Sequence, residues 1–402
     1  MPEAGDLFRP GGEEEAPKRA RRARIAIMLP RFSRYGGVEQ FGYRLAEGLA
    51  GRGHEVDFLC ARKEADAPPG VRVRTVGRPP GGRFVKMLWF LAGVERLRRA
   101  GQYDLSISLG KTWNQDVSRM GGGPLRIFWE LSERALPEGR ARLLKRLARR
   151  LSPANGLTLF LERRQFTAQS DVIAVSHLVR DWLLAAHPAL DPGRVQVVYN
   201  RPDTSRYAPP AEEERAAAQK ALAASCGASL AQGGTPAFIG TASTNFQLKG
   251  VGPLIRALAL LPEHALLFVA GGRDSGAYKE LARSLGVEGR VFFLGKVDDM
   301  PAFYRALDLF ILPTFYDACS NAVLEALASG CKTITSACNG AAHFLPPEAV
   351  LADPGDAGAM AERLAAFMKK PAPPPFAWPD TVQSGLEAFM DAVEERLGDR
   401  NV

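Results

Sequence analysis

The segment Pro313 to Gly330, PTFYDACSNAVLEALASG, carries the residues of this chain best suited to chemistry. Asp317 follows a short apolar run that reads as a buried strand, Ser320 or Asn321 can cap a helix, and Glu325 falls on that helix eight residues after Asp317. A loop carboxylate accepts hydrogen bonds from sugar hydroxyls. The amides of Cys319, Ser320 and Asn321 at a helix start can hold phosphate, and a carboxylate one turn further on can grip a ribose diol. The same spacing also fits an aspartate in a turn followed by a solvated glutamate. Lys249-Gly250 stands between the run Ala237 to Thr241 and a helix from about Pro253 to Leu261. Lys249 can therefore place a point charge beside a helix amino terminus, where the dipole already favours an anion; a solvated lysine is the alternative. Gly36 and Gly37 follow the first apolar run and open a helix, and Gly271-Gly272 ends the run Leu266 to Ala270. Glycines after a strand let the backbone approach a phosphate or sugar, or simply turn the chain. Gly36-Gly37 is not the GxGxxG fingerprint of dinucleotide binding.

A second signal is RARLLKRLARRL, Arg140 to Leu151. It puts Leu143, Leu144, Leu147 and Leu151 on one helical face and Arg142, Lys145, Arg146, Arg149 and Arg150 largely around the other. Such a helix can lie on an anionic membrane surface, each nearby basic residue contributing about 1 kcal/mol, or serve as a domain helix with a solvated basic face. The five histidines, at 54, 177, 187, 264 and 343, show no metal-ligand spacing. Five scattered cysteines, Cys60, Cys226, Cys319, Cys331 and Cys338, include no CxxC and argue against a disulfide framework or a structural zinc site. They fit a reducing cytoplasm.

These residues need a scaffold, and the chain supplies one of alternating strand and helix patterns. Apolar runs recur at Ile25 to Leu29, Val56 to Cys60, Val71 to Val76, Leu105 to Leu109, Val172 to Val175 and Val195 to Tyr199 in the first half. In the second half they recur at Ala237 to Thr241, Leu266 to Ala270, Val291 to Leu294, Leu309 to Leu312, Thr333 to Thr335 and Ala349 to Leu351. Runs without polar alternation suit strands buried on both faces, which predicts an α/β fold with two parallel sheets. Pro209, Pro210, Glu212 to Glu214 and then Gln232 to Pro236 read as a hinge between them. Val382, Leu386, Phe389, Val393 and Leu397 mark one face of a terminal amphipathic helix. With 402 residues, 46% apolar and 24% charged, the chain has ample core for two or three domains. The net charge of +8 suits acidic partners, with no accompanying motif for nucleic acid. Residues 1 to 23 lack an apolar signal region and read as a disordered tail, and Phe84 to Val94 is too short and too charged at Lys86 to span a bilayer.

The combination RFSRYGGVEQ, GRGHEV, KTWNQD, VIAVS, VQVVYN, FQLKGV, LLFVAGG, VFFLG and DLFILPTFYDACSNAVLEALASGCKTITSACNG covers about residues 24 to 345. It resembles the retaining GT-B glycosyltransferases of family 4, in particular the lipopolysaccharide core glucosyltransferase I group. The resemblance implies two Rossmann-like domains facing a cleft: 24–205 for the acceptor, 206–379 for the nucleotide-sugar, and 380–402 as a terminal helix returning to the first domain. It implies that Asp317 and Glu325 are the acids of the E-x7-E motif, with Asp in place of the usual Glu at the first. Gly36, Gly37, Lys249, Gly272, Cys319, Ser320, Asn321 and Glu325 would hold the donor, and Asp116, with Asp317, would be catalytic, Asp116 orienting or deprotonating the acceptor hydroxyl or else only capping its loop. The arginine usual beside the family's lysine is missing, since Leu248 precedes Lys249 and Ser243 stands where an arginine is frequent; Arg31 or Arg34 of the facing domain could replace it. No strand-terminal DxD is present, so neither metal nor other cofactor is expected and a UDP-sugar is a substrate. The implied reaction moves a hexose, glucose from UDP-glucose, to the heptose region of a lipopolysaccharide core. The implied place is the cytoplasmic side of the inner membrane, with the helix 140–151 in peripheral contact. The alternatives are another donor sugar (heptose, galactose or N-acetylglucosamine) and a catalytically impaired nucleotide-sugar-binding protein.

Overall fold

The computed structural model describes residues 22–228, 236–272, 274–379, 382 and 385–399. Of the expected tail, residues 1–21 lie outside the described residues, as does the expected break at 232–235. The strands of the first half are Arg24–Met28 (β1), Arg31–Phe32 (β2), Glu55–Cys60 (β3), Arg62–Lys63 (β4), Val71–Thr75 (β5), Leu105–Ser108 (β6), Val117–Met120 (β7), Asp171–Ala174 (β8) and Val195–Val197 (β9). Seven of them form a parallel sheet in the order β5-β3-β1-β6-β7-β8-β9, while β2 and β4 pair beside it. Its helices are Gly37–Gly51 (α1), Arg83–Gly101 (α2), Leu125–Arg134 (α3), Arg140–Leu151 (α4), Pro153–Gln165 (α5) and His177–Ala186 (α6).

After Glu212–Cys226 (α7), the strands Ala237–Ala242 (β10), Ala265–Ala270 (β11), Val291–Gly295 (β12), Leu309–Leu312 (β13), Lys332–Ser336 (β14) and Val350–Leu351 (β15) make a second parallel sheet, ordered β12-β11-β10-β13-β14-β15. The helices here are Val251–Ala259 (α8), Gly276–Ser284 (α9), Met300–Arg305 (α10), Asn321–Ala328 (α11), Ala357–Met368 (α12) and, at the end, Gly385–Asp399 (α13).

The uninterrupted apolar runs are explained by coverage on both faces. Along β1, Ile25 and Ile27 join a core with Leu45, Leu49 and Phe58, while Ala26 and Met28 meet Phe90 and Val94 of α2 on the other side. In both sheets the first strand is flanked by strands reached through connections of opposite direction: β1 lies between β3 and β6, and β10 between β11 and β13. Open α/β sheets bind ligands in the crevice outside the carboxyl ends of strands at such a switch point.

Two elements differ from the sequence expectation. The strand β7, sequence VSRM, was not expected, because half of its residues are polar and its burial comes from neighbours distant in sequence. Of the stretch expected to hinge, Glu212 to Glu214 open the helix α7. Glu212, Glu213 and Glu214 fill its first turn, where negative charge is favoured, and Glu214 accepts from the Ala211 amide. Arg215 and Gln219 then bind the Leu307 carbonyl and the Asp308 carboxylate, fastening α7 to the second sheet.

The terminal helix α13 lies across α1. Phe389, Met390, Val393 and Leu397 are buried in the core of the first sheet, each full burial stabilising by about 1.5–3 kcal/mol. Arg52, at the end of α1, meets Glu387, Asp391 and Glu394 of α13 at 2.5, 2.6 and 2.9 Å.

Candidate active site

The carboxyl end of β13 and the loop before α8 meet by hydrogen bonds between backbones. The Phe315 amide donates to the Leu248 carbonyl at 2.9 Å, and the Thr314 hydroxyl reaches the same carbonyl at 3.3 Å. Gly250 has φ +70°, and a Cβ there would fall 2.1 Å from the Pro313 carbonyl oxygen, so only glycine lets the two loops approach this closely. Lys249 is thereby set in place. Its Nζ lies 2.5 Å from Asp317 Oδ2 and 3.1 Å from the Tyr316 carbonyl, and both side chains are largely buried. It is a paired lysine rather than a loose, solvated one.

Asp317 is also braced by its backbone: its amide donates to the Cys338 carbonyl and its carbonyl accepts from Gly340. Asn339 completes the turn, its Oδ1 accepting from the amides of Ser320 and Ala341 at 3.1 Å each. This corrects the expected phosphate grip. Cys319 and Ser320 are buried, and the Ser320 amide is already satisfied by Asn339, so the amides open to an anion begin with exposed Asn321. Ser320 does occupy the cap position of α11, but its hydroxyl makes no capping bond. The buried Cys319 thiol is pushed far up by desolvation and is not a nucleophile here.

Glu325, one turn into α11, accepts from the Tyr304 hydroxyl at 3.0 Å. Burial raises its carboxyl above the usual range, against the lowering effect of Tyr304, Arg206 and Tyr207. At the end of β11, Gly271 and Gly272 have φ of +86° and +78°. Added Cβ atoms would strike the Ser243 carbonyl and the Phe246 ring, so these glycines are required by packing as well as by conformation. In the first domain Gly36 caps α1 at φ +99° beneath the Glu39 carboxylate, whereas Gly37 faces open space.

The two carboxyl edges face one another and touch. The Tyr316 hydroxyl accepts from the Gly123 amide at 2.5 Å, and its ring stacks on Trp182 with centroids 5.1 Å apart. Ser176 donates to the Ala318 carbonyl at 2.7 Å, and Asn200 donates to the Asn321 side chain at 2.9 Å. His343 packs between His177, at 4.7 Å, and Tyr199, at 5.4 Å. Burial, followed by the charge of His343, lowers the His177 pKa.

Asp116 stands elsewhere. It precedes β7 and its Oδ2 accepts from the Ser106 amide and hydroxyl, both at 2.6 Å, at the amino edge of the sheet. The parallel register that pairs Ile107 with Val117 directs that edge away from the cleft, so Asp116 ties β6 to β7 and does not meet an acceptor there. Of the facing arginines named as substitutes, Arg31 lies 3.2 Å from Glu64 and 3.8 Å from Glu39, and Arg34 stacks on Tyr43.

The basic helix differs from the expectation in its charged face, part of which is engaged within the protein. Leu143, Leu144, Leu147 and Leu151 are 53–71% exposed. Arg149 is turned inward, donating to Glu133, Ser132 and the Trp129 carbonyl, and Arg146 reaches Glu133 at 2.5 Å. These arginines hold the Glu133 carboxyl below its usual range despite burial. Arg142 pairs with Glu138 at 3.5 Å, leaving Lys145 and Arg150 exposed beside the leucines. What the sequence reading missed is the Gly121-Gly122-Gly123 turn with Arg119 before it; a glycine triplet after an alternating VSRM stretch is the signal that could have found it.

Two parallel-sheet domains with carboxyl edges opposed across a cleft, carrying a lysine and an acid beside a helix amino end, define a glycosyltransferase of GT-B fold. Comparison with known proteins agrees: residues 36–201 match the glycosyl transferase 4-like domain and residues 235–370 match glycosyl transferases group 1, and the chain belongs to this family. It is 30% identical over 334 residues to the D-inositol 3-phosphate glycosyltransferase of Rhodococcus jostii (strain RHA1), covering 75% of this chain and 69% of that one. A shorter stretch of 106 residues is 36% identical to the lipopolysaccharide glucosyltransferase WaaG of Escherichia coli (strain K12), covering 25% of this chain and 28% of that protein. The crystal structure of WaaG, a glycosyltransferase involved in lipopolysaccharide biosynthesis, superposes with a TM-score of 0.70 at 22% identity, over 86% of this chain and 90% of that one. This last likeness speaks for the fold.

Proposed function

We propose that this glycosyltransferase is a retaining hexosyltransferase that takes glucose from UDP-glucose and delivers it to the heptose region of a lipopolysaccharide core. The observation that carries the donor half is the Lys249–Asp317 pair at the start of α11, on the carboxyl edge facing the other domain. On this reading Asp317 accepts hydrogen bonds from the donor sugar, Lys249 and the open end of α11 stabilise the charge that develops on the leaving diphosphate, and Glu325 accepts from the ribose. That electrostatic role needs no metal, and among the described residues no three His, Cys, Asp or Glu side chains gather to hold one. On this reading Gly37, which faces open space at the start of α1, lets the donor approach the backbone there, with Gly36 and Gly272 shaping the turns beside it.

For the acceptor half, a membrane glycolipid fits the outward leucine ridge of α4, flanked by Lys145 and Arg150, which can enter the headgroup boundary of an anionic inner membrane from the cytoplasmic side. No helix among the described residues is long and apolar enough to cross a bilayer. A phosphorylated polyol acceptor is the second reading, favoured by the relative named as acting on D-inositol 3-phosphate. Nucleotide release from UDP-glucose, UDP-galactose, UDP-N-acetylglucosamine and nucleotide-heptose, each with truncated core oligosaccharide or inositol phosphate, tests both. Turnover that requires UDP-glucose and the heptose-bearing acceptor, and survives a chelator, is the expected result. Turnover with inositol phosphate alone replaces the acceptor, and donor binding without turnover on any acceptor leaves only a nucleotide-sugar-binding protein.

A further inference from the structure

Arg119 is the third residue of β7, on the first domain's side of the cleft. Its guanidinium carbon sits 3.7 Å from the centre of the Phe41 ring of α1, and Nη2 donates to Asn200 Oδ1 at 3.1 Å. Both partners are neutral, and among the described residues no carboxylate lies within ion-pair distance of it. Other arginines of this domain are differently placed: Arg134 meets Asp353, Arg194 meets Asp171, and Arg31 meets Glu64. Taking a guanidinium from water without a counter-charge is costly, and desolvation lowers the pKa of Arg119 to about 10, which still leaves it charged at neutral pH. The following turn gives it room, since a Cβ at Gly121 would fall 2.6 Å from Nη1.

The hydrogen-bond chain from Arg119 leads to one place. Asn200, which accepts from Arg119, donates its own amide to Asn321, the first residue of α11. Lys249 is half neutralised by Asp317, and Leu248 and Ser243 beside it carry no charge. A second cation at the end of α11 would add to Lys249 in balancing a nucleoside diphosphate there.

We infer that Arg119 is that cation: a diphosphate contact supplied across the cleft by the first domain, binding the donor's oxyanions as the counter-charge that its resting site lacks. This rests on the nucleotide-sugar reading and adds a residue to it. A guanidinium presents paired donors to phosphate, so the contact is strong only when the two domains are together, which makes donor binding and domain closure one event.

The test uses the full chain with UDP and uridine as probes, measured by titration calorimetry, and two variants, Arg119→Met and Arg119→Lys. Methionine keeps an apolar contact with Phe41 and removes the charge. The expected result is at least tenfold weaker UDP binding by Arg119→Met, unchanged uridine binding, partial recovery in Arg119→Lys, and a ligand-free Tm equal to or above that of the wild type. Equal UDP affinity in wild type and Arg119→Met overturns the inference, as does an equal loss for UDP and uridine, which marks a structural role. A loss seen only toward a phosphorylated acceptor also overturns it. If the wild type binds none of UDP, GDP or ADP, the nucleotide-sugar reading itself fails.

Discussion

Lys249 binds a carboxylate in this structure, so the consequence of removing it has two parts. Lys249→Ala deletes the charged contact to a bound diphosphate, worth on the order of 1.5–3 kcal/mol, or roughly 10- to 150-fold in donor kcat/KM. It also leaves Asp317 without its 2.5 Å partner, so Asp317→Asn alone and in combination should show strong non-additivity in a double-mutant cycle. Nucleotide-release kinetics at varied UDP-glucose check this, and wild-type kinetics for Lys249→Ala would remove the residue from the donor site. Lys249, Asp317 and Glu325 were legible in the sequence because short loops after strands fix them near one helix. Asp116 was misread because a loop acid next to a strand looks the same at either edge. The register of β7 on β6 decides which edge it occupies, and that pairing is not written in the local sequence.

At the scale of elements, α4 shows how periodicity yields a face without yielding its direction. Leucines on one side and arginines on the other were plain from the spacing, and the usual inference buries the leucines. Here Glu133 of α3, itself buried, draws Arg146 and Arg149 inward and leaves the leucines out. Replacing Leu143, Leu144, Leu147 and Leu151 with Ser should leave Tm within a few degrees of wild type and lower cosedimentation with anionic vesicles by well over tenfold, because inserting even half of each side chain is worth about 1 kcal/mol per residue. Arg149→Gln should act in the opposite sense, costing stability by leaving Glu133 under-paired while Lys145 and Arg150 still attract the surface. Full vesicle binding by the four-serine variant rules out α4 as the attachment.

At the scale of the molecule, the two domains are held by few polar contacts, by Tyr316 on Trp182, and by the group of His177, His343 and Tyr199. His177 has a lowered pKa, so the unfolded or opened chain binds its proton more readily than the closed one. Its contribution is present above the ordinary value of 6.5 and is lost as pH falls below it toward the depressed value of the closed state. Tm should therefore drop by a few degrees more between pH 7 and pH 5.5 in the wild type than in His177→Asn; equal slopes would remove His177 as the cause. The sequence by itself determined the α/β class, both sheets apart from β7, the terminal helix and the loop or helix on which Lys249, Asp317 and Glu325 stand, because apolar runs, helix periodicity and loop positions are local properties. Only the tertiary structure decided which edge Asp116 occupies, which way α4 faces and that Arg119 sits across from α11, because register, side-chain pairing between distant helices and the meeting of two domains depend on residues far apart in the chain.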